Sequence, residues 1–186
     1  MCIRDSAYIG KVDTTKLKVS RIINAKGKVI TPGFIDTHAH GDPFETSSFE
    51  NFLAMGVTTI CLGQDGNSPM ERMDTWLSKL EEQEIGVNIA MFIGHGTLRK
   101  LAGINYEKNP TVAQLQIQQK LLKQALVQSV FGMTTGLEYT PGIFAKDEEL
   151  LPLAKIVGDH NGLIMSHVRN EDDGQIVNSI QESAES

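Results

Sequence analysis

Residues 30–42 read Ile30-Thr31-Pro32-Gly33-Phe34-Ile35-Asp36-Thr37-His38-Ala39-His40-Gly41-Asp42, or ITPGFIDTHAHGD. Pro32-Gly33 punctuates the chain, and Phe34-Ile35 is a short apolar run leading into Asp36. Residues two apart on a strand share a face, so Asp36, His38 and His40 point one way, with the two imidazoles about 6 to 7 Å apart at their bases. Two neutral imidazoles converging at a strand end can bind a zinc-like cation once other elements supply further ligands. A bare His-x-His also matches any pair of surface histidines. The Pro-Gly turn, the apolar strand, the aspartate and the strand–helix rhythm that follows favour metal ligation here.

Outward from this stretch the alternation is regular. Before it, Tyr8-Ile9-Gly10, Ser20 to Asn24 and Lys26 to Ile30 are short alternating segments between polar turns, read as small strands. After it come a helix around residues 47–54 and the β-branched strand Val57-Thr-Thr-Ile-Cys-Leu62, suited to a sheet buried on both faces. Residues 69–84 are amphipathic, with Met70, Met73, Trp76, Leu77 and Leu80 on one stripe that reads as core rather than cofactor contact. A third strand spans 87–93. A long helix over 111–129 opens on a Thr111/Gln114 capping box. A fourth strand over 133–139, a helix that Asp147 can cap, a fifth strand over 163–167 and a helix from Gly174 complete the pattern. Such alternation implies a parallel barrel or a doubly wound sheet.

Composition excludes several classes. The chain has 186 residues, 40% hydrophobic and 22% charged, enough apolar material for a core. A net charge of −6 and a pI near 5.3 without a basic cluster argue against nucleic acid as a partner. Two cysteines, Cys2 and Cys61, suggest no disulfide framework, and no apolar run is long enough for a membrane span. The start MCIRDS lacks the apolar core of an export signal. The default location is therefore cytoplasmic, with an export signal upstream of this ragged start left open, as is the oligomeric state.

Each strand ends in reactive side chains: His38 and His40, then Gln64-Asp65-Gly66, His95, Glu138-Tyr139, and His167-Val168-Arg169. In α/β barrels the strand C-termini form the active face. Asp65 reads as a metal ligand or as an ordinary turn aspartate before glycine. His95 reads as a contact to substrate or to a ligand's far side, or as a structural hydrogen bond. Arg169 can grip a substrate carboxylate with its fork or pair with Glu171 or Asp172.

ITPGFIDTHAH resembles the first barrel strand of the amidohydrolase superfamily. GVTTICLGQDG, IGHGTLR, GMTTGLEYTPG and SHVRNEDD are similar to the N-acyl-D-amino-acid deacylases, or D-aminoacylases, from about Ile9 to about Ser183. The resemblance implies a partial TIM (β/α)8 barrel of about five βα units over 30–186, preceded over 1–29 by a remnant of a small N-terminal β-domain. A whole barrel takes about 250 residues, so the chain reads as cut at both ends. It implies His38, His40, Asp65 and His167 as ligands for one or two zinc ions. Asp65 stands where the family has a bridging cysteine, and its harder oxygens shift metal preference. Strand four offers no lysine to carboxylate, so Asp65 or Glu138 supplies any bridging carboxylate, with Asp36 as a further candidate beside the metal. Tyr139 matches a tyrosine that contacts substrate.

The implied activity is metal-assisted hydrolysis of an N-acyl-D-amino acid, a small-molecule substrate, to a D-amino acid and a carboxylate. The sixth-strand histidine and the proton-shuttling aspartate of that chemistry fall beyond Ser186, so the fragment is expected to be inactive alone. Alternatives are a cyclic-amide hydrolase, a D- or isopeptide dipeptidase, and a non-catalytic truncated metal-binding barrel.

Overall fold

Val57–Leu62 and Gly132–Gly136 form the central strands of two parallel sheets, and the outcome for each follows from its side chains. The computed structural model describes residues 8–70 and 72–185; the MCIRDS start and Cys2 lie outside them. The chain divides into two units, Met1–Pro32 and Gly33–Ser186.

In the first unit the described residues carry one regular element, a 3-10 turn at Thr14–Lys16, started by Asp13 as its side chain accepts from the Thr15 amide at 3.1 Å. The three segments read as short strands form none. A strand exists through its ladder, and the backbone bonds here are local closures, Lys16 to Asp13 and Lys28 to Ala25.

The second unit runs β1 (Phe34–Asp36), α1 (Glu50–Ala54), β2 (Val57–Leu62), α2 (Met73–Glu81), β3 (Asn88–Met91), β4 (Ile93–Gly94), α3 (His95–Leu101), α4 (Val112–Val127), β5 (Gly132–Gly136), α5 (Asp147–Asp159), β6 (Leu163–His167) and α6 (Ile176–Glu185). The sheets are β1-β2-β3 and β4-β5-β6, parallel throughout. The single third strand expected over 87–93 is divided at Phe92. Its first half pairs with β2 and its second with β5. The Phe92 amide donates to Leu62 at 3.0 Å, and the Phe131 amide to Met91 at 2.8 Å. One stretch of chain therefore stitches both sheets.

β2 is buried only in its C-terminal half, whereas β5, the least apolar strand by sequence, is buried throughout. Thr134 and Thr135 survive burial because both hydroxyls are bonded. Thr134 Oγ1 accepts from the Gly66 amide at 3.2 Å and donates to the Gly63 carbonyl. Thr135 Oγ1 lies 2.6 Å from Ser166 Oγ. Around the strands, Ile60, Leu62, Trp76, Met91, Ile93, Leu122, Met133 and Leu153 pack in one apolar cluster. The Thr111/Gln114 capping box forms at the start of α4. Asp147 is the first residue of α5 rather than its cap; with Glu148 and Glu149 it puts acid in the first turn, where the helix dipole favours it. No helix of the described residues is long and apolar enough to cross a membrane.

IGHGTLR leaves β4 at Gly94 and enters α3 at His95, an unexpected helix with His95 and Arg99 wholly buried. Glu149 Oε1 lies 2.8 Å from His95 Nε2 and accepts from Gln118 Nε2 at 2.8 Å; its Oε2 accepts from Arg99 Nη1 at 2.7 Å. Arg99 also donates to the carbonyls of Asn105 and Glu107. This knot ties α3, α4 and α5 together. Burial pushes the Glu149 carboxyl up, but the His95 and Gln118 bonds and the nearby positive charge outweigh it and hold the carboxyl below its ordinary range. A depressed carboxyl contributes stability above its unfolded value and loses it as pH falls through the folded value. Glu149→Gln strands the buried guanidinium. It is expected to lower the unfolding free energy in urea by about 3–5 kcal/mol at neutral pH. The gap to wild type should narrow as the titration moves into acid; a gap unchanged at low pH would contradict the assignment.

Candidate metal centre

β1 ends at Asp36, whose Oδ1 accepts from the His38 amide at 3.1 Å and turns the chain. The Ala39 amide then donates to the Cys61 carbonyl at 3.1 Å, and Ala39 is buried. With Ala39 drawn against β2, His38 and His40 share the opposite side, their Nε2 atoms 3.3 Å apart.

Asp65 arrives on the loop after β2. Gln64, 3% exposed, points its amide back to the carbonyls of Thr37 and Cys61 at 3.1 and 3.0 Å, tying the ends of β1 and β2. Asp65 itself has φ +52°, a left-handed conformation that aspartate tolerates better than most residues. Its carbonyl oxygen presses on Gly136 so closely that a Cβ there would overlap it, and a Cβ on Gly66 would sit 2.8 Å from the Gly136 amide.

The Asp65 side chain, 18% exposed, sits among three imidazoles. Its Oδ2 is 3.0 Å from His40 Nε2. Its Oδ1 is 3.5 Å from His38 Nε2 and 3.8 Å from Nδ1 of His167, the last residue of β6. Oδ1 is buried without a hydrogen-bond partner. A buried carboxylate oxygen with no donor, facing histidine nitrogens, has the character of a metal ligand. On its other side His167 Nε2 is 3.0 Å from Glu138 Oε2 and 3.6 Å from Glu171 Oε1. Among the described residues two groups thus gather donor atoms tightly enough for a cation: His38, His40 and Asp65, and Glu138, His167 and Glu171. Asp65 is adjacent to both. The Tyr139 ring packs on His167 at 4.5 Å between centroids. Its phenol is pushed up by desolvation and by the negative charges of Asp65, Glu138 and Glu171.

No family model matches the chain. The N-acyl-D-glutamate deacylase of Alcaligenes xylosoxydans xylosoxydans is 30% identical over 184 residues, 87% of this chain and 38% of that protein. The crystal structure of N-acyl-D-glutamate deacylase from Bordetella bronchiseptica, in complex with zinc and a phosphonate mimic of the tetrahedral intermediate, matches with a TM-score of 0.76 and 30% identity. The match covers 82% of this chain and 37% of that one. A D-aminoacylase structure concerned with its binuclear metal centre matches with a TM-score of 0.83 and 27% identity, over 91% of this chain and 41% of that one. Over most of its length the chain resembles the D-aminoacylases and N-acyl-D-glutamate deacylases in sequence and fold. It spans well under half the length of these relatives.

Against the D-aminoacylase pattern two readings of the sequence need correction. His95 is fully buried and bonded to Glu149, the structural hydrogen bond that stood as the alternative to a substrate contact. Arg169 is not held open for a carboxylate ligand. Its Nε and Nη2 grip Glu182 of α6 at 2.7 to 3.0 Å, and Nη1 and Nη2 donate to the carbonyls of Ile143 and Ala145. Neither Glu171 nor Asp172 is its partner. Asp36 holds the His38 backbone. Glu171, passed over as a site residue, comes to His167 because the chain after β6 doubles back; only its place four residues beyond that histidine hinted at it.

The fit of the Asp65 loop gives a direct check. Gly136→Ala forces a methyl against the Asp65 carbonyl and is expected to lower stability in urea by about 1–3 kcal/mol. Gly158→Ala, inside α5 with nothing within 4 Å, should instead hold or raise it by up to about 1 kcal/mol. Equal effects at both positions would refute the close crossing.

Proposed function

We propose that this chain carries the metal-binding face of a hydrolase that removes the acyl group from N-acyl-D-amino acids. The observation that carries the reading is the Asp65 carboxylate, set between His38 and His40 on one side and His167 on the other. The relatives named N-acyl-D-glutamate deacylase, and the zinc-bound and binuclear structures, lend support. In this reading the two parallel sheets are part of one (β/α)8 barrel, which brings every strand end named above to a single face.

His38, His40 and Asp65 would hold one zinc ion, and Asp65 and His167 would share a second, with Glu138 or Glu171 completing it. A bound zinc supplies positive charge that polarises an amide carbonyl and acidifies water. The chain's own residues orient the reactants. Thr134 bonds the Asp65 loop at both Gly63 and Gly66, which holds the backbone from which the carboxylate projects. Tyr139 stays protonated through neutral pH and can donate to the substrate carbonyl, while its ring screens His167 from water. Glu138 and Glu171 hold His167 Nε2 and orient its ring.

The test is metal content after dialysis against zinc or manganese for wild type, Asp65→Cys and Asp65→Ala. Asp65→Cys should keep zinc and lose preference for manganese, because sulfur is the softer donor. Asp65→Ala should lose at least one metal equivalent, since two like-charged ions would lack their shared counter-charge. Full metal content in Asp65→Ala would reduce Asp65 to a turn residue and overturn the reading.

A further inference from the structure

A cavity of about 780 Å³ opens beside His40 and Asp65, between the loop after β1 and the loop after β2. Its walls are Phe44, Leu62, Met70, Trp76 and Met91. Leu62, Trp76 and Met91 are buried, and Phe44 stands edge-on to Trp76 at 5.8 Å. Phe44 and Met70 are exposed at the outer rim, and methionine adapts readily to an irregular apolar partner. Among the described residues no lysine or arginine lines it; besides His40, the ionisable groups are Asp42, Asp65 and Tyr139, and the side-chain amides of Gln64 and Asn67 are spent on backbone carbonyls. Asp42 is turned onto its own loop, accepting from the Phe44 amide at 2.8 Å. The one arginine that follows a strand end here, Arg169, is committed to Glu182 beside a different cavity.

These features choose between the two halves of an N-acyl-D-amino acid. The amino-acid half always carries an α-carboxylate, and an acidic side chain adds a second. A carboxylate requires a cationic or multiple-donor partner when it leaves water, and this cavity offers two carboxylates instead. The acyl half is the uncharged half. The volume lies in the range that encloses a whole small-molecule ligand, far beyond the methyl group of an acetyl. Resting on the deacylase reading above, we propose that this cavity is the acyl pocket, and that the substrates are D-amino acids carrying a medium-length aliphatic acyl chain. The scissile amide then sits at the inner end, beside His40 and Asp65, and the amino-acid half extends away from Asp42.

Trp76 is the chain's single tryptophan and lies in the wall, so its emission reports occupancy without turnover. The experiment titrates zinc-loaded protein with N-acetyl-, N-butanoyl-, N-hexanoyl- and N-octanoyl-D-alanine, with N-acetyl-D-phenylalanine and N-acetyl-D-glutamate as the other arms. Zinc content is measured on the same samples. Each buried methylene should tighten binding about fourfold, with a progressive shift of Trp76 emission. Met70→Glu, at an exposed position the fold tolerates, should flatten this dependence, and Phe44→Ala should weaken the octanoyl compound at least fivefold. A Trp76 response as strong for N-acetyl-D-phenylalanine, with no dependence on acyl length, would assign the cavity to the side chain and overturn the proposal. So would equal binding of N-acetyl-D-glutamate, or silence of Trp76 throughout while zinc is retained. Loss of zinc with the acyl-length dependence intact would instead count against the hydrolase reading and leave the pocket standing.

Discussion

The second unit depends on a crossing where the loop after β2 lies over the ends of β4 and β5, backbone against backbone. Glycines at 66, 94 and 136 make the approach possible, and the Thr134 hydroxyl fixes it by bonding the loop at both Gly63 and Gly66. A Cβ at any of the three would collide with the facing backbone and force the loop that carries Asp65 to shift. The 88–94 stretch, which changes partner between the two sheets, and the shared apolar cluster join the same strands from other sides. One short-range steric requirement thus positions the backbone that carries a carboxylate.

The same crossing explains how so many ionisable groups tolerate one another. Asp65, Glu138 and Glu171 converge on His167 with no arginine or lysine among their short contacts. Three carboxylates around one imidazole concentrate negative charge at this face. Far from this face, the Glu149–Arg99–His95 knot meets the same difficulty with the opposite solution, because there the charges are matched within the protein and sealed from water. Matched charge marks the scaffold and unmatched charge the working surface.

What could be read beforehand divides along sequence distance. That His38 and His40 lie side by side was legible because only one residue separates them just past a strand, and that Asp65 follows a strand end was legible, like the other strand ends, from the alternation. His95 and Arg169 were not: their partners, Glu149 and Glu182, lie 54 and 13 residues away and carry no pattern that names them. The division at Phe92 was equally hidden, since a strand that changes neighbours keeps the same apolar run. The burial of β5 reversed the ranking by hydropathy, because the hydroxyls of Thr134 and Thr135 are satisfied by loops and strands distant in sequence.

Asp65 has one more consequence. Thiolates climb an oxidation ladder through sulfenic to sulfinic acid, and a metal-bridging cysteine ties the integrity of a site to ambient peroxide. A carboxylate has no such ladder. The thiol nearest Asp65 in sequence, Cys61, is buried, and burial together with the Asp36 charge pushes it up, which favours the unreactive protonated form. With a carboxylate in place of a thiol, position 65 itself offers oxidants no sulfur to modify.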